Sequence, residues 1–153
     1  MNAQVRVKLL LAAAAVLVSA SAALGQTASV WDGVYNDAQA ERGGAKYAQN
    51  CAMCHGHDQE GNGEAPPLVG RFIPDWSGTS LTDLFEKIQT TMPLFAPGTL
   101  SANDTADILA FLLKANNFPS GANALEPGSG LKSINFEAAP HAGVPHKKSG
   151  PAK

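Results

Sequence analysis

Five consecutive residues, Cys51-Ala52-Met53-Cys54-His55, place two thiols and an imidazole at a spacing that few chemistries use. Thiols two residues apart can each form a thioether to one vinyl group of a haem, and the next histidine is placed to put a ring nitrogen on the iron. A C-x-x-C pair also serves as a dithiol redox centre or as half of a zinc site. The redox centre expects a strand before it and a helix after it, whereas a helical pattern precedes this pair and a glycine-rich loop follows. A zinc site needs further ligands; Cys51 and Cys54 are the only cysteines, and His57, His141 and His146 are irregularly spaced. A histidine directly after the second cysteine fits the haem alone. One covalent haem c is therefore expected, held by Cys51 and Cys54 with His55 on the iron.

A sixth iron ligand follows by elimination. The methionines are Met1, Met53 and Met92. Met1 leaves with an N-terminal leader described below, and Met53 lies between the attachment cysteines on the His55 side. Met92 remains, before Pro93 on a loop able to cross the opposite haem face. The ordinary use of a methionine is apolar filling. Rival ligands are His57, only two residues past His55, and the distant His141 and His146.

Several elements must position these side chains. Gly43, Tyr47 and Cys51 recur every four residues, on one face of a helix running from about Asp37 into the motif. Residues 56–74 read as loop, with Gly61-Asn62-Gly63, Pro66-Pro67 and Gly70. Ser80 and Asp83 form a capping box for a second helix with apolar Leu81, Leu84, Phe85 and Ile88, which must stop before Pro93. Ser101 and Asp104 cap a third helix to about Asn116. Its Ile108, Leu109, Phe111, Leu112 and Leu113 exceed one stripe, so it is expected to be buried on two sides, by the haem and by the first helix. No period-two alternation occurs, and the fold class is all-α, with three to four helices wrapped around one haem.

Residues 1–25 carry Arg6 and Lys8, an apolar run over 9–18, and Ala23-Leu24-Gly25, a signal peptide cleaved before Gln26. The run is short for a membrane span, which needs about 20 residues. The mature protein is expected to be soluble and periplasmic, without stable membrane insertion. Residues 31–119 form the expected domain and 120–153, rich in Gly, Pro and Lys, a tail with little order of its own. Leu131, Ile134 and Phe136 are the exception, able to lay an extended segment back on the domain. So small a domain buries only about 60% of its chain surface. The porphyrin would complete the core, and the chain without haem is expected to be largely unfolded; a stable helical apo-protein by far-UV circular dichroism would contradict this.

The order of these elements resembles the class I, mitochondrial-type bacterial c-type cytochromes with one haem. The likeness covers roughly residues 39–116: Gly43-x-x-x-Tyr47-x-x-x-Cys51-x-x-Cys54-His55, then Ala65-Pro66-Pro67-Leu68, then Met92-Pro93, then Asp107-Ile108-Leu109-Ala110-Phe111-Leu112. Ala65 departs from the family's usual glycine. The resemblance implies that the carbonyl of Pro66 (or of Pro67) accepts the Nδ1–H of His55, making the ring a better iron donor. Trp76 and Arg71 are candidate propionate partners, against ordinary roles in packing and at the surface. Val30, Trp31, Asp32, Gly33, Val34 and Tyr35, with the Met92 region, are similar to small cytochromes that accompany quinoprotein dehydrogenases.

With His55 and Met92 both on iron, no position stays open for oxygen or substrate, and a thioether ligand favours ferrous iron. No catalytic constellation occurs elsewhere, so the expected function is electron carriage without enzyme activity, between a periplasmic dehydrogenase and a terminal respiratory acceptor. Two alternatives stand beside it: a haem subunit of a larger dehydrogenase or oxidase complex, and an open-site sensor or peroxidase-like enzyme if Met92 is not a ligand. Between residues 26 and 120, five Lys/Arg face eleven Asp/Glu. Such a surface excludes nucleic acid as a partner and suits a neutral or basic redox protein.

Overall fold

The computed structural model describes residues 27–139. The expected signal peptide, His141 and His146 therefore lie outside the described residues. Five helices carry the fold: α1 (Asp37–Asn50), α2 (Ala52–His55), α3 (Phe72–Trp76), α4 (Leu81–Thr91) and α5 (Ala102–Ala115). The all-α expectation holds, with one minimal addition: β1 (Ala28–Ser29) pairs in parallel with β2 (Ile134–Asn135), Ala28 opposite Ile134 and Ser29 opposite Asn135.

Local chemistry sets the helix ends. Asn36 caps α1 by accepting the Gln39 amide, Ser80 and Asp83 close a capping box on α4, and Ser101 accepts the Asp104 amide at the start of α5. α4 ends at Thr91, with Met92 in extended backbone just before Pro93. Three short elements were not expected. Ser129–Ser133 forms a 3₁₀ turn at Leu131, where extended chain was expected. Val30–Asp32 forms a 3₁₀ turn with its own Ser29–Asp32 capping box. α3 interrupts what reads as loop; its Pro74 falls in the first turn, where an amide has no intrahelical acceptor to lose.

α1 crosses α5 at the closest approach in the molecule. A Cβ on Gly43 would lie 1.8 Å from the Asp107 carbonyl oxygen, so only glycine fits there. Tyr47 packs on Phe111 with ring centroids 5.1 Å apart. Arg42 meets both carboxylate oxygens of Asp107 at 3.0 and 2.9 Å, and Lys46 reaches Asp104 at 2.7 Å. As expected, α5 is buried on two sides: Ala106, Leu109, Ala110 and Leu113 are core, while Ile108 and Leu112 face the cavity described below.

Packing continues past the expected boundary at 119. Gln39 and Leu125 exchange two hydrogen bonds, of 2.9 and 2.7 Å. Leu125, Leu131 and Phe136 are buried, and Phe136 sits edge-on to Phe72 and Phe118 at 5.8 and 5.3 Å. The segment laid back through Leu131, Ile134 and Phe136 is present, extended at Ile134–Asn135 but turned at Leu131, and it meets residues 28–31 through β1–β2 and the Trp31 Nε1–H donated to the Glu137 carbonyl at 3.0 Å. Apolar residues scattered among Gly and Pro carry no period, and their burial depends on partners distant in sequence, such as Phe72 for Phe136 and Gln39 for Leu125.

Candidate haem site

One cavity of about 310 Å³ gathers the residues singled out by the sequence. Cys51, Cys54, His55, Pro66 and Met92 all line it, with Leu68, Phe72, Leu84, Ile88, Ile108 and Leu112 among the apolar walls. α1 delivers the motif: its C-terminal residue Asn50 is followed by Cys51, which opens the single turn of α2 ending at His55. The cysteines are not joined in a disulfide. Burial first, and Cys54 beside it second, push the Cys51 thiol up to about 11.

His55 is buried and oriented. Its Nδ1 lies 2.9 Å from the Pro66 carbonyl, one of the two that the family resemblance left open. A carbonyl only accepts, so Nδ1 carries the proton and Nε2 keeps its lone pair for a metal. The surrounding backbone is tied down on every side. Tyr47 donates its hydroxyl to the Gly56 carbonyl at 2.7 Å, and Gly61 donates its amide to the His55 carbonyl at 2.8 Å. Burial pushes the Tyr47 phenol upward, so it remains a donor. Gly61 has φ +76°, and a Cβ there would sit 2.6 Å from the Ala65 carbonyl, so the turn returning Pro66 to His55 requires glycine.

The residues fit a haem. A thiol pair, an imidazole with its outer nitrogen available and a thioether share one apolar cavity, and at its rim Leu94 and Phe95 are 76% and 66% exposed. Such large exposed apolar side chains beside a cavity are what a flat apolar group would cover. His57 is exposed and absent from the cavity wall, which sets it aside as an iron ligand. Among the described residues no group of three or more His, Cys, Asp and Glu gathers to hold a metal. Of the two propionate candidates, Trp76 lines the cavity, whereas Arg71 does not; its nearest carboxylate is Asp75 at 3.9 Å. Sequence reasoning passed over Asn50, Glu64 and Lys87, which also line the cavity. Lys87 lies one residue from Ile88 and three from Leu84, a spacing that already put it beside the helix's apolar stripe.

An all-α domain with one C-x-x-C-H motif, its histidine braced by a proline carbonyl beside an apolar cavity that a methionine also lines, defines a c-type cytochrome, and the chain belongs to that family as a class I, single-haem member. In particular, residues 38–112 match the family described as cytochrome c oxidase, cbb3-type, subunit III. A cytochrome bc1 complex cytochrome c subunit of Corynebacterium efficiens is 28% identical over 95 residues, covering 60% of this chain and 31% of the relative. The crystal structure of the sulfane dehydrogenase SoxCD from Paracoccus pantotrophus matches with a TM-score of 0.44 and 30% identity, over 61% of this chain and 52% of that one. The chain thus spans about a third of the curated relative and about half of the solved one. No helix among the described residues is long and apolar enough to cross a membrane.

Proposed function

We propose that the protein is a periplasmic one-electron carrier whose haem iron is bound by His55 and Met92, passing electrons from a dehydrogenase to a respiratory acceptor. One observation carries this reading: Cys51, Cys54, His55 and Met92 converge on a single apolar cavity with His55 already oriented. The haem, when bound, supplies an iron that alternates between ferric and ferrous states. The chain does the rest. Pro66 and the backbone around Gly56 hold the imidazole at a fixed angle, so that little moves when the charge changes. Leu68, Phe72 and Leu84, with Ile108 and Leu112 of α5, keep water from the centre, which favours the less charged ferrous state. Met92 would supply a thioether as the second protein ligand and leave no iron site for a substrate.

A fixed-subunit reading draws support from the bc1-complex relative, which bears the name of a complex subunit. The segment through Glu137 packs on its own domain, so a wrap around a partner would fall to residues 138–153. Periplasmic location rests on the signal-like residues 1–25. Spectroelectrochemical titration of the purified holoprotein is expected to give a single reversible one-electron transition, with no catalytic consumption of hydrogen peroxide by the reduced form. Sustained peroxide turnover would replace the carrier with an enzyme.

A further inference from the structure

We infer that Lys87 is the counter-charge for a haem propionate, holding the outer edge of the cofactor and raising its reduction potential. The inference rests on the haem assignment and begins from where the positive charges of an acidic domain are spent. Between residues 26 and 120 there are five Lys/Arg. Four face carboxylates: Arg42 on Asp107 at 2.9 Å, Lys46 on Asp104 at 2.7 Å, Lys114 on Asp37 at 2.8 Å, and Arg71 near Asp75 at 3.9 Å. Lys87 is the fifth, and among the described residues it has no ion pair, a property it shares with Lys132, which lies outside the cavity wall. Among the described residues Lys87 is also the only Lys or Arg in the wall of the haem cavity.

Its position suits the role. Leu84 and Ile88 of α4 line the same cavity and are buried, while Lys87 is exposed, so its apolar stem can follow the wall with the ammonium in water. Thioethers at Cys51 and Cys54 hold the vinyl-bearing edge of a haem, which directs the two propionates to other parts of the rim. The other formally charged wall residue is Glu64, which repels a carboxylate. Trp76 offers a neutral donor in the wall but no charge. A cation paired with a propionate opposes the extra positive charge of ferric iron, and so favours the ferrous form.

The test compares four holoproteins by redox titration at low salt: the parent, Lys87→Gln, Lys87→Arg and Lys132→Gln. Lys132 lies outside the cavity wall, so its loss changes net charge equally without touching the rim. Lys87→Gln is expected to shift the ferrous/ferric equilibrium about two- to fivefold toward ferric, the range of a partly exposed ion pair. Lys87→Arg should restore the parent value, and Lys132→Gln should leave it unchanged. An unshifted midpoint in Lys87→Gln, or an equal shift in Lys132→Gln, would overturn the assignment. The near-infrared methionine–iron band is recorded on each sample: its presence with no shift rejects Lys87 alone, and its absence from the parent rejects the axial pair separately.

Discussion

The two axial sides of the haem cavity are built differently. On the His55 side, hydrogen bonds join separate segments: Tyr47 to Gly56, His55 to Pro66, Leu68 to Gln59, and Asn116 to Leu68, between 2.7 and 2.9 Å. On the Met92 side, the hydrogen bonds of residues 92–99 are local, from the Met92 amide to Ile88, the Ala96 amide to Pro93 and the Thr99 hydroxyl to Ala96. Leu94 and Phe95 are exposed there. The difference teaches a division of labour: the protein alone fixes the histidine, whereas the methionine loop would gain its long-range tie from the proposed bond to iron. Local hydrogen bonds constrain a loop's shape but not its place, so the Met92 side should be the first to open.

A matched pair of glycines gives the largest contrast. Gly61 and Gly98 both have positive φ, +76° and +75°, but a Cβ meets the Ala65 carbonyl at 2.6 Å in the first and open space in the second. Gly61→Ala is expected to cost about 3 kcal/mol, from left-handed strain plus overpacking, and Gly98→Ala about 1 kcal/mol from strain alone. Urea unfolding of the holoproteins followed at the haem band checks this, and equal costs would erase the asymmetry.

Much of the histidine side was legible because its signals are short-range. The C-x-x-C-H spacing, the Gly43–Tyr47–Cys51 repeat and the cap residues Ser80 and Ser101 act over one or two turns, and each lies where expected. Met92 was legible by elimination and by the helix stop at Pro93. The Leu125, Leu131 and Phe136 packing was only partly legible, since aperiodic apolar residues declare nothing until Phe72, Phe118 and Gln39 meet them. α3 was missed because five residues with an internal proline look like loop. Lys87 escaped notice because its meaning depends on the other cations being paired, which no local pattern records.

A smaller effect sharpens the contrast through the seat of α1 on α5. Lys46 and the Ser101 hydroxyl hold the Asp104 carboxyl below the usual carboxylate range, and Lys114 and the Ser120 hydroxyl do the same for Asp37. A depressed native value means the stabilisation is complete above the unfolded-state value of about 4 and is lost as pH falls through the native one. Both groups are substantially exposed, so together they should contribute less than about 1 kcal/mol, reduced further by salt. Urea midpoints taken between pH 6 and pH 3, at low and high salt, should fall in acid more at low salt; a salt-independent acid loss would place it elsewhere.

The most direct test of the closed site is optical. The near-infrared spectrum of the oxidised holoprotein, taken with the response of the reduced protein to carbon monoxide, reads the iron's sixth position. The account predicts a methionine–iron charge-transfer band and no carbon monoxide binding in the parent, with the band lost and carbon monoxide bound in Met92→Ala. Ready carbon monoxide binding by a parent protein that lacks the band would contradict it.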